Sequence, residues 1–169
     1  MQNKKNGLIL SGIIFFAYTI VYNLLALTII SGSDKIKFLV HSIDGLKITN
    51  IHFFLSLIIF ITSTLVIIIS YFIYKAFLNI SHIKNIDSIK LLTALLLSML
   101  PGSALAYILL TFHILATDSI LIKILSMICS CITLCLLISE DAKKKEMIKF
   151  SVLSSCYCIV NIVISVIFV

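Results

Sequence analysis

Five long apolar runs, separated by short charged stretches, restrict this chain more than any other feature. They extend from Gly7 to Ile30, Ile51 to Tyr74, Leu91 to Leu115, Ile120 to Ile138 and Phe150 to Val169. A hydrocarbon core about 30 Å thick takes roughly 20 residues of helix, so each run can cross a bilayer. Backbone groups inside lipid must find their partners within the protein, which a helix does by itself. The expected fold is all-α: a polytopic transmembrane helical bundle of about five spans, forming a single integral membrane domain over residues 1–169. Charged residues make up only 12% of the chain, against roughly a quarter in a soluble domain. No stretch is left over for a separate globular domain.

The first run follows a short polar leader, Met1 to Asn6, and resembles a signal peptide in its basic start. It is too long for the apolar part of a signal peptide, and no small-residue cleavage site closes it, so it reads as retained. Between the first and second runs, Ile36, Leu39, Val40, Ile43 and Leu46 recur near helical spacing. Ser31 to Asn50 is therefore either a surface-lying amphipathic segment or a loop with some apolar residues.

Every basic residue is lysine. With abundant isoleucine and asparagine, this suggests A/T-rich coding, as in low-GC bacteria. Arginine is the residue best shaped to grip phosphate or carboxylate, and its absence argues against a nucleic-acid partner. The net charge of +6 is better read as topology signal and contact with the headgroups of the lipid bilayer. With five spans, the leader, the second linker and the fourth loop lie on one side with nine lysines; the opposite side has four. The positive-inside rule then puts the N-terminus in the cytoplasm and the C-terminus outside a cell membrane.

No Asp, Glu, Lys or Arg lies in the middle of a span, which argues against ion-coupled transport. The spans do carry small and polar residues in register. Ser56, Ser63 and Ser70 are seven apart in the second. Ser98, Gly102 and Ala106 are four apart in the third, and Ser126, Ser130 and Thr133 follow in the fourth. Ser151, Ser154, Cys158, Asn161 and Ser165 repeat in the fifth. Lipid offers no hydrophobic drive for helix association, so such stripes are expected to be the packing faces. The fourth and fifth spans are expected to form a tight antiparallel hairpin, with Cys135 and Cys156 at a similar depth.

Pro101 is the only proline and precedes Gly102 in the middle of the third span. It removes a backbone donor and crowds the carbonyl of Leu97, which Ser98 could satisfy. The element is a hinge or a fixed structural kink. The fixed kink is favoured, because no charged group lies nearby for a gate to serve.

No catalytic, cofactor or metal residue is expected. His41, His52, His82 and His113 form no ligand spacing, and Cys129-Ser-Cys131 and Cys156-Tyr-Cys158 are not the C-x-x-C of dithiol enzymes. The five cysteines, all inside spans, read as small core residues rather than a disulfide framework. Asn79-Ile-Ser81 matches a glycosylation sequon but falls on the cytoplasmic side.

The layout resembles the Yip1 family of small five-span membrane proteins, in particular its bacterial members. The likeness lies in span count, orientation and the stretch from Ile51 to Phe112. There Tyr71-Phe-Ile-Tyr-Lys-Ala-Phe77 ends the second span, and Asn85-Ile-Asp-Ser-Ile-Lys90 leads into Leu91-Leu-Thr-Ala-Leu-Leu-Leu-Ser-Met-Leu-Pro101. The resemblance implies an integral membrane protein without known catalysis, whose eukaryotic relatives act in vesicle trafficking and bind small GTPases. Many members carry an extended cytoplasmic N-terminal region, which is not seen ahead of Gly7.

The first expectation is a non-enzymatic scaffold or accessory protein acting by helix–helix contacts, with a membrane-protein partner or as a homo-oligomer. The second is a transport component, which requires a polar pocket between spans; Tyr22, Asn23, Tyr157 and Asn161 are its candidates. The third is self-protection against a membrane-active peptide.

Overall fold

The structure is a computed structural model that describes residues 2–32, 48–112, 114 and 120–167. Among the described residues five helices follow one another: α1 Gln2–Gly32, α2 Ile48–Ile80, α3 Ser88–Thr111, α4 Ile120–Ser139 and α5 Lys144–Ile167. There is no strand among the described residues. All five helices are long and apolar enough to cross a membrane, which makes this a multi-pass membrane protein with an all-α bundle. The expected amphipathic segment in Ser31 to Asn50, the short turn Ala116 to Ser119, His41, His113 and Leu115, and the C-terminal Val169 fall wholly or mainly outside the described residues.

The helices overrun the apolar runs at their polar ends. α2 continues past Tyr74 to Ile80, so Lys75 is helical, and its Nζ lies 5.6 Å from the centre of the Tyr71 ring. α5 begins at Lys144 rather than Phe150 and takes in the end of the charged fourth loop, Lys144 to Glu146. Hydropathy marks where lipid ends, whereas a helix of Lys, Glu and Met continues into water because those residues favour it. α3 begins three residues early for a local reason: the Asp87 carboxylate accepts from the Lys90 amide at 2.7 Å, capping the first turn.

α2 ends in a left-handed residue, His82 (φ 62°), whose amide donates to the Asn79 carbonyl. The Ile83 amide donates back to Leu78, and the Ile83 side chain is buried, as in a helix stop of the Schellman type. The chain thereby reverses into α3. The α4–α5 turn meets this linker at the same end of the bundle. There Lys90 Nζ lies 2.7 and 2.6 Å from the two carboxylate oxygens of Asp141, and Asn85 Nδ2 donates to the Asp141 carbonyl at 3.2 Å.

α3 is the centre. It buries twice the share of its span that any other helix does, and it packs closely on α1 along one side and α4 along the other. α1 therefore finds its main neighbour two helices along the chain, not in α2, which rests more lightly on the rest. Leu91, Leu95, Leu96, Leu134, Ile138 and Phe150 form the principal core, and Leu25, Ala106, Leu110 and Ile122 a smaller one further along α3. Across the α1–α3 seam the Ser11 and Thr93 hydroxyls hydrogen-bond at 2.7 Å. The outer surface carries large apolar side chains such as Phe16, Phe72 and Leu136. Such a surface suits lipid, which solvates it at no cost.

Pro101 lies on that outer surface, and α3 runs through it without interruption. Pro101 itself is exposed, while Gly102 and Ser103 after it are buried. Ser98 does not serve the Leu97 carbonyl: its hydroxyl donates to Leu95 at 2.7 Å. Because Pro101 is exposed, Pro101→Ala should leave the bundle folded. It restores one backbone donor and should raise the melting temperature in detergent; a clear loss of stability would show that the bend itself is needed.

Candidate binding cavity

The stripes read from the sequence converge. Ser98, Gly102 and Ala106 are all buried, on the face of α3 turned to α4. A Cβ added at Gly102 would stand 2.6 Å from the backbone oxygen of Ser126 and 2.7 Å from Ser130 Oγ. Only a residue without a side chain lets these two backbones come so close. On α5, Ser151, Cys158, Asn161 and Ser165 are half-buried and Ser154 fully buried, while Ser155, Cys156 and Ile159 are exposed. The α5 stripe thus faces the bundle.

In the α4–α5 hairpin the Cys135 thiol is turned toward Ser151 and Ser154, and Cys131 meets Cys158 as well as Cys135. Cys156, two residues beyond Ser154, points outward. The buried Ser154 Oγ has no well-formed hydrogen bond. All five cysteines are free thiols.

Above this thiol layer the five helices leave a cavity of about 270 Å³. α1 contributes Tyr18 and Tyr22, and α2 contributes Ser70 and Tyr74. α3 contributes Ser98, Met99 and Ser103; α4 contributes Ser126, Ser130 and Cys131. α5 closes the wall with Tyr157, Cys158 and Asn161. A second cavity of about 310 Å³ shares Tyr22, Ser126 and Met127 with the first and reaches Lys123, which is exposed.

Three of the four pocket candidates named from the sequence, Tyr22, Tyr157 and Asn161, line the central cavity. Asn23 does not; its Oδ1 is buried without a partner elsewhere. Tyr18 and Tyr74 were missed. The signal for both was present: Tyr18 sits one turn before Tyr22 on the same face, and Tyr74 one turn after Ser70 on the serine seam of α2. Several serines read as packing residues have a second use, since Ser70, Ser98, Ser126 and Ser130 also face the cavity.

Chemically, the lining offers hydroxyls, thiols, thioethers, one carboxamide and aromatic rings. Among the described residues no carboxylate, ammonium or imidazole lines it, and no three His, Cys, Asp or Glu side chains converge as metal ligands. Compared with protein-family models, with characterised proteins and with solved structures, the chain finds no match in any of the three.

Proposed function

We propose that this chain is a non-enzymatic cell-membrane protein that binds a small polar molecule between its helices, as a transport component. The observation that carries the reading is the central cavity, to which all five helices contribute polar side chains. Polar groups within a bilayer are costly unless they serve a partner or a ligand. A pocket mostly apolar in build, with a few convergent polar groups, is the usual form of a small-molecule site. The scaffold reading drew on small-residue stripes as contact faces; these stripes pack against the chain's own helices, which favours the cavity reading. Yip1 membership is a further proposal, supported by the residues quoted above and the five-helix layout, and it too implies no catalysis.

Cys158 and Cys156 supply the test. Cys158 lines the cavity and Cys156 faces outward, two residues away. In variants keeping only one cysteine each, a small water-soluble methanethiosulfonate should modify Cys158 and leave Cys156 untouched, because the reagent needs water at the thiol. If Cys158 is as inert as Cys156, the cavity is dry and the scaffold reading takes its place.

The orientation proposed is N-terminus inside, C-terminus outside, supported by the nine-to-four lysine split. A reporter active only outside the cytoplasm should work when fused after Val169 and fail within Lys143 to Lys145; the reverse result would overturn the orientation.

A further inference from the structure

We propose that the cavity takes a small quaternary ammonium ion; this rests on reading the cavity as a binding site. Its walls are rich in aromatic rings and hydroxyl oxygens. Four tyrosines from three helices line it: Tyr18, Tyr22, Tyr74 and Tyr157. Tyr18 and Tyr22 stack with centroids 5.6 Å apart, and Tyr74 meets Tyr157 edge to face at 5.8 Å with planes at 84°. With planes at 84°, the pair offers ring faces in two directions, and a cation binds over the negative face of a ring.

The serines turn the same way. The Ser98 hydroxyl proton goes to the Leu95 carbonyl at 2.7 Å and that of Ser103 to Met99 at 3.0 Å. With their protons engaged on the backbone, these two oxygens have only lone pairs for the cavity. Met99 and Met127 add thioether sulfurs, which accept and cannot donate. No lysine or histidine lines the cavity among the described residues, so no fixed cation competes for this surface. Lys123 lines the adjoining cavity and lies three residues before Ser126, about 4.5 Å along the helix at 1.5 Å per residue. It is exposed, where solvent and salt screen its charge.

The same lining selects among cations. It has no carboxylate, so it cannot strip a strongly hydrated metal ion or primary ammonium of its water. A quaternary ammonium is weakly hydrated, disperses its charge over methyl groups and asks for no hydrogen-bond acceptor in fixed geometry. Aromatic rings and lone pairs suffice for it.

The test uses the full chain in lipid nanodiscs. The chain has no tryptophan and four of its six tyrosines line the cavity, so tyrosine fluorescence reads the cavity rings once the Tyr71 and Tyr107 signal is subtracted with Phe variants. Choline is titrated against 3,3-dimethylbutanol, its neutral isostere. Choline should bind about tenfold or more tightly, the discrimination a desolvated cation–π contact supplies. It should also protect Cys158 from the methanethiosulfonate, and the alcohol should not. Tyr22→Phe should keep most of the affinity, and Tyr22→Leu should lose it with an unchanged melting temperature. Tyr74→Leu serves as a second ring variant, read only where the melt shows a folded protein. Equal binding of the two ligands, or equal affinity of the Phe and Leu variants, overturns the cation assignment. A Cys158 that reacts with the reagent but is not protected by choline does the same while leaving the cavity reading in place.

Discussion

Gly102→Ala is expected to destabilise the bundle by about 1–3 kcal/mol, the range for forcing extra atoms into a filled core. The added methyl would stand 2.6 Å from the Ser126 backbone oxygen, 2.7 Å from Ser130 Oγ and 2.8 Å from Ser126 Oγ. The two hydroxyls can rotate away. The backbone oxygen cannot, so α3 and α4 must separate along a seam that carries much of the bundle's packing. Gly12→Ala is the matched control, since a Cβ there meets nothing within 4 Å. Alanine is better than glycine in a helix interior by about 0.5–1 kcal/mol, so this variant should hold or gain stability. Melting followed by circular dichroism in one detergent should separate the two in opposite directions. If both behave alike, α3 and α4 do not approach at Gly102.

Ser154→Leu should have an effect of similar size. Ser154 is fully buried at the α4–α5 seam, facing the layer that holds Cys135, and Ser155 beside it is exposed. Leucine at 154 has no space to occupy and would push α5 off α4, at a cost of about 1–3 kcal/mol. Ser155→Leu adds the same atoms on the outer face, where they meet lipid, and should be neutral. Cys158→Leu should fall on the destabilising side, since that residue is half-buried against Cys131. Equal melting temperatures for Ser154→Leu and Ser155→Leu would mean that α5 is rotated relative to the arrangement described.

How much of this was legible depended on which force wrote the signal. The five helices could be read directly, because a bilayer demands long apolar runs and leaves the backbone no alternative. Their ends could not. Lys144 to Lys149 are helical, yet they lie where hydropathy falls and helix propensity alone decides; at the end of α2 the single Lys75 interrupts an apolar run that continues to Ile80. The inward phase of Ser151, Ser154 and Cys158 followed from spacing, since residues three and four apart share a face. The partner of each stripe did not follow, because spacing within one helix says nothing about which neighbour it meets. For the same reason Tyr22 and Tyr157 could be named as pocket residues while Tyr18 and Tyr74 were passed over. A tyrosine on a helix is a lipid-interface anchor or a cavity wall depending on the placement of four other helices. Pro101 shows the same limit: its chemistry predicts a bend, but not that the residue would be exposed while the glycine after it makes the close contact.

The pairing of α1 with α3, across the intervening α2, bears on the order in which this protein can be made. A chain leaving the ribosome presents α1 and α2 first, and those two rest only lightly on each other. Until α3 arrives, α1 lacks the helix that buries Ser11, Ile14 and Tyr18. During that interval packing cannot hold the first helix in its orientation. On the orientation proposed above, charge does so: lysines at its start and beyond the end of α2 resist passage through the membrane while the hairpin waits for its partner. On that proposal the same lysines double as a temporary anchor for assembly, needed most before the third helix is synthesised.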